Sequence, residues 1–529
     1  MNTADYIKAG KASIGIEFGS TRIKAVLIGE DFSAAAAGAY DWENSLIDGV
    51  WTYSLDEIRE GLKGCFGALM ADVREKYGVT LESAASVGIS AMMHGYLAFD
   101  ENDGLLVPFR TWRNTMTETA ADILTEKLGF NIPQRWSIAH LYQAILNGEE
   151  HVSQIRFVTT LAGYVHWLLT GRKVIGIGDG SGMFPIDVKN GSYNSVMAEK
   201  FEQLTEGTAF TQRLSDVLPE IVPVGECAGT LTESGALLLD PTGTFKAGAR
   251  LCPPEGDAQT GMAATNSIAP RTGNVSAGTS IFAMAVLEKD LSAVYRQIDI
   301  VTTPCGNPVA MVHCNNCTTD LNCWVKLFED VLRLFGAETS KTELYNKLFA
   351  AALSGDTDCG GIISCNYHSG EHVTGFTEGR PLVMRTPTSE LNAANFMRSL
   401  IYSCMSTLKI GMDILLNEEK IVLDKIYAHG GLFKSPVTGQ RFLAAALGVP
   451  VALMESAGEG GAWGIALLAS YLANRGEGET LEAYLENRVF GGKTGSVMEP
   501  DKNDMKGFEA YMENYKAALE AERTAVSKC

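Results

Sequence analysis

Short runs rich in β-branched residues alternate with longer runs of helical periodicity along the chain, and this alternation predicts an α/β protein. Apolar residues occupy every second position over 14–18, Gly19 interrupts the run, and apolar residues resume over 23–28. A glycine between two alternating apolar runs predicts a β-hairpin with the glycine at its tip.

The same pattern recurs one domain length later. Residues 273–287 form a β-rich run that meets Gly-Thr-Ser at Gly278 and then continues as a second apolar run. A repeated opening hairpin predicts an internal duplication, in which two similar domains each begin with this motif. The boundary between the two domains is expected near residues 262–272.

Helical segments are marked by their caps. Ser54 and Glu57 have the spacing of a capping box, which predicts a helix to about Tyr77. Ser435-Pro436 predicts the start of a second helix that runs to Leu447 and ends at Gly448. An amphipathic helix is expected over 508–526, whereas 176–182 reads as a loop or tight turn.

Length and charge limit the classes of function. A chain of 529 residues predicts two large domains, and a formal charge of −20 argues against nucleic-acid or anionic-membrane partners. The longest apolar stretch, around 462–473, is too short to span a bilayer. Eleven cysteines and the lack of a basic and apolar leader before Lys11 predict reduced thiols and a cytoplasmic location.

The glycine-tipped hairpins have a chemical use. Backbone N–H groups at a Gly-Ser-Thr tip can bind phosphate oxygens, and the neighbouring Glu17 can hold a magnesium ion through water. For one such motif alone, an ordinary hairpin is the favoured interpretation. Two of them could hold one nucleotide from both sides, and Gly430-Gly431 before the helix at Ser435 could admit an adenine or ribose. A plain βα connection remains the alternative at that third segment.

Several segments, in their order along the chain, resemble the FGGY family of carbohydrate kinases, within the superfamily of actin, hexokinase and heat-shock chaperone ATPases. The resemblance covers about residues 12–475. Its motifs are IGIEFGSTRIKAVLI at 14–28, SAMMHG at 90–95, PFRTWRNTMT at 108–117, PEGDAQTGM at 254–262, NVSAGTS at 274–280, HGGLFKSPVTGQRFLAAALGVPV at 429–451 and AGEGGAWGIALLA at 457–469.

The resemblance implies a two-domain actin/hexokinase-like (ribonuclease H-like) α/β fold with the active site in the interdomain cleft. Sugar and the first phosphate hairpin are expected on an N-terminal domain, 12–264. ATP is expected on a C-terminal domain, 265–475, followed by a helical extension, 476–529. Dimers are common among such kinases, so a homodimer is an open expectation.

The resemblance also implies an ATP-dependent kinase that phosphorylates a terminal hydroxyl of a ketopentose. The Met-His-Gly loop resembles that of xylulokinases and favours xylulose, whereas ribulose and rhamnulose remain open. Asp257 is the expected catalytic base that accepts the proton of the attacking hydroxyl. Seen without the family pattern, Asp257 reads as an N-cap of the following helix.

The remaining site residues follow from the same resemblance. Met93, His94, Trp112 and Asn114 are expected to contact the sugar, because imidazole and amide groups supply the donors and acceptors that ketose hydroxyls need. Glu17 and Asp257 are the expected magnesium ligands. The expected ATP-binding residues are Gly19, Ser20, Thr21, Lys24, Gly278, Thr279, Ser280, Gly430, Gly431, Lys434 and Ser435.

Three departures from the family pattern stand out. Glu17 occupies a position that is usually Asp, Trp-Arg-Asn-Thr replaces the usual sugar-contacting sequence, and residues 365–382 follow no common pattern. HSGEH at 368–372 has the spacing of an inverted zinc-protease motif, but Gly370 disfavours the helix that such a site needs. Glu17 and the unusual 365–382 region motivate a rival interpretation, a non-catalytic sugar or nucleotide sensor that retains the kinase fold.

Overall fold

The computed structural model describes residues 1–454, 460–491 and 495–528. The chain forms two compact units, each built from three separate stretches of sequence. Unit 1 comprises Met1–Ile268, Ile300–Val309 and Glu459–Gly492, and unit 2 comprises Ala269–Asp299, Ala310–Gly458 and Lys493–Cys529.

The strands of the described residues are β1 Ser13–Phe18, β2 Arg22–Ile28, β3 Ala34–Asp41, β4 Ser45–Ile47, β5 Val50–Thr52, β6 Ser86–Ala91, β7 Leu97–Phe99, β8 Phe157–Thr159, β9 Val174–Gly176, β10 Ile186–Asp187, β11 Ser192–Tyr193, β12 Glu220–Val222, β13 Gly229–Thr230, β14 Arg250–Leu251, β15 Glu255–Gly256, β16 Thr272–Ala277, β17 Ile281–Val286, β18 Asp299–Thr302, β19 Pro308–Cys314, β20 Ile363–Cys365, β21 Leu382–Met384, β22 Lys425–His429, β23 Val451–Leu453 and β24 Val497–Met498.

The α-helices of the described residues are α1 Thr3–Lys8, α2 Leu55–Tyr77, α3 Glu118–Leu128, α4 Ser137–Leu146, α5 Leu161–Thr170, α6 Ile177–Gly180, α7 Ser195–Thr205, α8 Leu214–Val217, α9 Glu233–Leu239, α10 Asp257–Ala264, α11 Thr318–Leu334, α12 Lys341–Leu353, α13 Ala393–Asp413, α14 Thr438–Leu447, α15 Gly460–Asn474, α16 Leu481–Tyr484 and α17 Lys502–Lys528. Short 3₁₀ turns occupy Glu150–Gln154, Cys359–Gly361, His372–Thr374 and Gly431–Phe433.

The predicted first hairpin lies at the centre of the unit 1 sheet. Its strand order is β13-β14-β6-β1-β2-β3, with β1 antiparallel to β2 and parallel to β6. Helix α15 packs on β1 and β6, and α2 packs on β3. Strand β1 is therefore covered by helical packing, and Ile14, Ile16 and Phe18 are fully buried in the core.

The second hairpin holds the equivalent position in the unit 2 sheet. The strand order there is β18-β19-β17-β16-β22-β23-β24, with β16 antiparallel to β17 and parallel to β22. Each unit thus has a central strand that pairs with its own hairpin partner on one side and with a parallel strand on the other. This shared topology agrees with the predicted duplication and confirms the mixed, two-domain α/β class.

The predicted helix limits agree with the structure at both ends of α2 but only at the C-terminal end of α14. The capping box of Ser54 and Glu57 is present, and α2 ends at Tyr77 as predicted. Helix α14 ends at Gly448 as predicted, but it begins at Thr438, so the N-cap assigned to Ser435 is wrong. Val437 adopts φ 68°, a left-handed conformation that interrupts the chain between Pro436 and the helix.

The compact units, unlike the predicted domains, are discontinuous in sequence. The boundary after Ile268 lies within the expected 262–272 range, and α15 packs in unit 1 although it falls inside 265–475. The expected extension over 476–529 is also divided, because α16 belongs to unit 1 and α17 to unit 2. Both helices bury large side chains, so each is part of a core.

Residues 393–418 form a helix that is long and apolar enough to cross a membrane, but 78% of its apolar window is buried inside the protein. The buried face contacts α12, α14 and β20 of unit 2. Such burial is typical of a core helix.

Candidate active site

Asp257 lies at the start of α10, directly after β15. Its Oδ1 accepts hydrogen bonds from the backbone N–H of Met93 at 3.1 Å and of Ala258 at 3.0 Å. The helix cap is Gly256, so Asp257 is the first helical residue rather than the N-cap. Its side chain is exposed, and desolvation by the surrounding protein raises the pKa of its carboxyl above the usual value. Asp257 is therefore fixed by the backbone and open to a ligand.

His94 follows Met93 in the predicted sugar loop and is 5% exposed. Its Nδ1 lies 3.1 Å from the carbonyl oxygen of Gly182. Since a carbonyl can only accept, Nδ1 carries the hydrogen and Nε2 is an acceptor. Burial lowers the pKa of His94 well below its usual value, which keeps the ring neutral. The ring stacks on Trp136, which fixes its plane.

Met93 packs against the residue before Asp257. A Cβ on Gly256 would lie 2.3 Å from Met93 Cγ, so only glycine permits this approach. Gly182 is constrained in the same way, because its Cβ would lie 2.6 Å from His94 Nδ1. The structure thus brings Asp257 into contact with Met93, the neighbour of His94, and the roles of the three residues stay predictions.

Two buried carboxyls beneath this group were not foreseen. Glu255 Oε2 accepts the N–H of Asp179 at 2.8 Å, and Asp179 Oδ2 accepts the hydroxyl of Thr160 at 2.6 Å. Burial raises the pKa of Glu255 to about 8 and that of Asp179 to about 7. Asp179 lies in 176–182, a segment that reads as a loop or tight turn in the sequence but forms the single helical turn α6. The glycines beside Asp179 were the available signal, since a Cβ on Gly178 would lie 2.4 Å from Glu255 Oε2.

The two sugar candidates from 108–117 have different surroundings. Asn114 is 3% exposed, and its amide bonds to both the N–H and the carbonyl of Trp51 at 2.9 Å. Trp112 is 40% exposed, and its indole N–H lies 3.4 Å from Ser20 Oγ. Asn114 therefore holds strand β5 in place, while Trp112 lies beside the first hairpin tip. Sugar contact by either residue stays a prediction.

Aromatic side chains hold the tip of the first hairpin. The Trp42 indole donates to the carbonyl of Gly19 at 2.7 Å, and the Tyr53 hydroxyl donates to the carbonyl of Ser20 at 2.6 Å. The two rings stack at 4.1 Å between centroids. Thr21 borders an open depression next to the tip. The tip is therefore a rigid, accessible turn, as a phosphate-binding loop requires.

Glu17 connects this hairpin to two helices. Its Oε2 accepts the N–H of Ala462 at 3.1 Å at the start of α15. Burial, followed by the charge of Asp257, raises the pKa of Glu17 to about 7, while Lys24 acts in the opposite direction. Lys24 lies directly across the hairpin from Glu17.

Magnesium binding by Glu17 and Asp257 stays a prediction. The negative charge of Asp257 contributes to the raised pKa of Glu17, and a cation bound by both carboxyls would offset that effect. Within the described residues, no cluster of three or more acidic, His or Cys side chains could hold a metal unaided. Water and phosphate oxygens would therefore have to fill the other positions, as is usual for Mg²⁺.

The second hairpin tip is tied to the start of α11. The hydroxyl of Thr318 donates to the carbonyl of Gly278 at 2.7 Å, and the N–H of Cys317 donates to the carbonyl of Thr279 at 3.0 Å. A Cβ on Gly278 would meet no atom within 4 Å. Hydrogen bonds from the start of α11 therefore hold the carbonyl groups of this tip, while the space next to the Gly278 Cα is open.

The first glycine of the pair after β22 has a structural reason of its own. Gly430 has φ 107°, and its Cβ would lie 2.3 Å from the carbonyl oxygen of Ala277 at the end of β16. The close approach of β16 by itself requires a glycine at 430, whereas a Cβ on Gly431 would meet only the same oxygen, at 4.0 Å. Lys434 is exposed and Ser435 is 6% exposed, and neither caps α14. Nucleotide contact by Gly430, Gly431, Lys434 and Ser435 stays a prediction.

Comparison with known proteins identifies the family to which the chain belongs. The model of the FGGY family of carbohydrate kinases matches the N-terminal domain over residues 12–241 and the C-terminal domain over residues 273–473. The chain belongs to the FGGY family of carbohydrate kinases. This FGGY kinase is accordingly an ATP-dependent sugar kinase. Of the matching motif at 457–469, residues 457–459 lie outside the described residues.

Individual relatives agree with this assignment. The FGGY kinase is 24% identical over 436 residues to a xylulose kinase from Haemophilus influenzae, covering 80% of this chain and 83% of the relative. A ligand-bound xylulose kinase from Lactobacillus acidophilus has a TM-score of 0.78 at 17% identity, over 97% of this chain and 99% of that one. Plasmodium falciparum glycerol kinase with ADP has a TM-score of 0.75 at 14% identity, over 97% and 98%. At these identities the solved structures establish the fold alone, which is the expected actin/hexokinase-like one.

Proposed function

We propose that this FGGY kinase transfers the γ-phosphoryl group of ATP to a terminal hydroxyl of a ketopentose, with xylulose as the favoured substrate. The observation that carries the proposal is the Asp257 carboxylate, exposed to ligand and bonded to the backbone of Met93 within the Met-His-Gly loop. The relatives named xylulose kinases support the choice of sugar. Ribulose and rhamnulose are the alternatives within the same chemistry.

Asp257 acts as the base. As the sugar oxygen forms its bond to the γ-phosphorus, the hydroxyl proton passes to the Asp257 carboxylate, and the bond from phosphorus to the bridging oxygen of ADP breaks. The raised pKa of Asp257 makes its carboxylate a stronger base than an ordinary aspartate. Because only the ionised form accepts a proton, activity falls as the pH falls through this pKa.

His94 orients the sugar. With Nδ1–H committed to Gly182, the neutral ring offers Nε2 as an acceptor for a sugar hydroxyl. A single fixed tautomer discriminates between a hydroxyl and a group that cannot donate. Met93, Trp112 and Asn114 complete the proposed sugar contacts.

The two hairpin tips and Lys24 bind the nucleotide phosphates, and the segment from Gly430 to Ser435 contacts the nucleoside. Glu17 and Asp257 hold Mg²⁺, which when bound neutralises charge on the phosphate oxygens. Glu17 is one methylene longer than aspartate, and its carboxyl remains anchored by the Ala462 N–H. We place the enzyme in the cytoplasm, in keeping with the free thiols of all ten cysteines in the described residues.

A coupled assay of ADP release tests this proposal. Xylulose, ribulose, rhamnulose, gluconate and glycerol are compared at saturating Mg-ATP, and xylulose should give the highest kcat/KM by about tenfold or more, since a matched hydroxyl set is worth more than 1 kcal/mol. A higher kcat/KM for another ketose would make that ketose, instead of xylulose, the substrate. Stimulation by none of these compounds would favour the non-catalytic sensor.

A further inference from the structure

The segment 365–382, which follows no common family pattern, contains one fully buried acid. Glu371 has 0% of its side chain exposed. HSGEH at 368–372 does not form the long helix of a zinc protease, and only its last residue belongs to a helical element, the 3₁₀ turn His372–Thr374. Gly370 is required because its Cβ would lie 2.6 Å from the carbonyl oxygen of Thr377. This tight turn directs Glu371 inward.

Glu371 serves as an acceptor for a second loop of unit 2. Its Oε2 receives the backbone N–H of Asn315 at 2.8 Å, the backbone N–H of Asn316 at 3.2 Å and the Asn316 side-chain amide at 3.2 Å. One carboxylate oxygen thus satisfies two consecutive backbone donors, an arrangement that fixes the path of the loop.

The loop returns hydrogen bonds to the same turn. Asn316 Oδ1 accepts the N–H of His368 at 2.9 Å and that of Ser369 at 3.1 Å. The Asn315 side-chain amide donates to the carbonyl of Gly370 at 2.8 Å. Bonds in both directions join the turn and the loop into one rigid piece, with the buried Glu371 carboxyl at its centre.

The next two residues of the loop hold the second hairpin. Cys317 donates its N–H to the carbonyl of Thr279 at 3.0 Å. Thr318 donates its N–H to the carbonyl of Gly278 at 3.2 Å and its hydroxyl to the same oxygen at 2.7 Å. The 315–318 loop is therefore hydrogen-bonded to Glu371 through its first two residues and to the hairpin tip through its last two.

We propose that Glu371 is a positioning residue for nucleotide phosphates, acting through the 315–318 loop on the hairpin tip Gly278–Ser280. The inference rests on the proposed function in assigning that tip to ATP. Without the carboxylate, the N–H groups of Asn315 and Asn316 lose their shared acceptor, and the loop has to move to find another. The displacement reaches the carbonyls of the tip, so its N–H groups no longer match the phosphates.

The effect should be specific to the nucleotide. Glu371, the loop and the hairpin all lie in unit 2, whereas the proposed sugar contacts lie in unit 1. A general loss of stability would lower the amount of active enzyme without changing either KM. A positioning role instead predicts a higher KM for ATP and an unchanged KM for the sugar.

The test compares Glu371→Ala, Glu371→Gln and a matched control, Glu522→Ala. Glu522 is another fully buried glutamate of unit 2 that accepts a backbone N–H, from Arg380, but it has no bond to the 315–318 loop. Glu371→Ala should raise the KM for ATP at least fivefold, with the sugar KM within twofold. Glu371→Gln, whose amide oxygen can still accept, should stay within about twofold of wild type, and so should the control.

Hydrogen exchange followed by mass spectrometry gives a readout independent of activity. The peptide spanning 273–287 should exchange faster in Glu371→Ala than in wild type or in Glu522→Ala. Unchanged exchange there, or an equal rise of both KM values, would overturn the proposal. Faster exchange with unchanged affinity for ADP, measured by calorimetry, would also overturn it, because the tip would then not bind phosphates.

A second variant keeps the test decisive if Glu371→Ala does not fold. Thr318→Val is nearly isosteric and removes only the hydroxyl bond to Gly278, so it should raise the KM for ATP and the exchange of 273–287 in the same selective way. If Thr318→Val changes neither the KM for ATP nor the exchange of 273–287, the proposed link through the 315–318 loop is wrong. Wild-type enzyme that binds no nucleotide would instead contradict the proposed function itself, a result distinct from any difference between the variants.

Discussion

Buried carboxyls around Asp257 give the protein a specific dependence of stability on pH. Burial raises the pKa of Glu255 to about 8 and that of Glu17 and Asp179 to about 7. In the unfolded chain these groups ionise near pH 4. Between the two values the folded state binds more protons than the unfolded state, so the free energy of unfolding decreases as the pH rises.

Glu255→Gln should therefore reduce this loss of stability between pH 5 and pH 8. Glutamine mimics the protonated acid and can still accept the N–H of Asp179, so the variant should be the more stable protein at pH 8. One titrating group contributes at most about 1.4 kcal/mol per pH unit. Urea unfolding at several pH values measures the slope, and the exposed Glu126→Gln is the control. Parallel pH profiles for wild type and Glu255→Gln would contradict the prediction.

Sequence reasoning located some site residues better than others. Asp257 and His94 could be proposed as site residues because each lies in a short contiguous motif. The pair of Asp179 and Glu255 could not, since the residues are 76 positions apart and meet only through the fold. The sequence predicts a close approach to the backbone at Gly430, but the neighbour found there, Ala277, is distant in the sequence and could not be named.

At the scale of elements, the contact between α10 and α15 fixes the helix that carries Asp257. A Cβ on Gly464 of α15 would lie 2.0 Å from the carbonyl oxygen of Thr260 in α10. This contact is with backbone, so a side-chain rotation cannot relieve it.

Gly464→Ala should push the two helices apart, lower the free energy of unfolding by about 1–3 kcal/mol and lower kcat. Gly67→Ala is the matched control, because Gly67 is an exposed residue of α2 with no atom within 4 Å of its Cβ. The control should leave kcat unchanged and stabilise the helix by about 0.5–1 kcal/mol. Urea unfolding measures the free energy of unfolding of each variant, and the ADP-release assay measures its kcat. If Gly464→Ala and Gly67→Ala had the same kcat and the same free energy of unfolding, α10 and α15 would not be closely packed.

Local signals predicted the elements whose ends are set locally. Both hairpins followed from alternation around a glycine, and α2 followed from its capping box. The start of α14 was misplaced because Val437 takes a left-handed conformation that no residue preference for valine suggests. Element α6 was missed because a single helical turn among glycines has no periodicity to detect.

At the scale of the whole molecule, the chain order does not follow the units. Helix α15, with residues 461–472 buried, completes the core of unit 1 although it comes nearly 200 residues after Ile268. Its apolar residues surround the helix, which predicts burial without indicating the partner. A boundary could therefore be predicted from sequence, but the return of α15 to the first unit could not.

A fragment of residues 1–268 should consequently fail to fold by itself. Without α15, the face of β1 at Gly15 is uncovered, since a Cβ there would lie 2.1 Å from the carbonyl oxygen of Ala462. The fragment should aggregate or lack near-ultraviolet circular dichroism, and adding residues 459–492 through a flexible linker should restore the signal. Cooperative unfolding of the fragment alone would show that α15 is dispensable for unit 1.

The most direct measurement of the central claim is the rate of ADP release from Asp257→Asn with xylulose as the acceptor. Asparagine can still accept the N–H bonds of Met93 and Ala258, so the backbone anchors stay in place while the proton acceptor and the carboxylate charge of the proposed magnesium site are removed. The account predicts a fall in kcat of about a hundredfold to ten-thousandfold, with xylulose binding by calorimetry unchanged within a few-fold. A kcat within tenfold of wild type would contradict the assignment of Asp257 as the group that accepts the sugar proton.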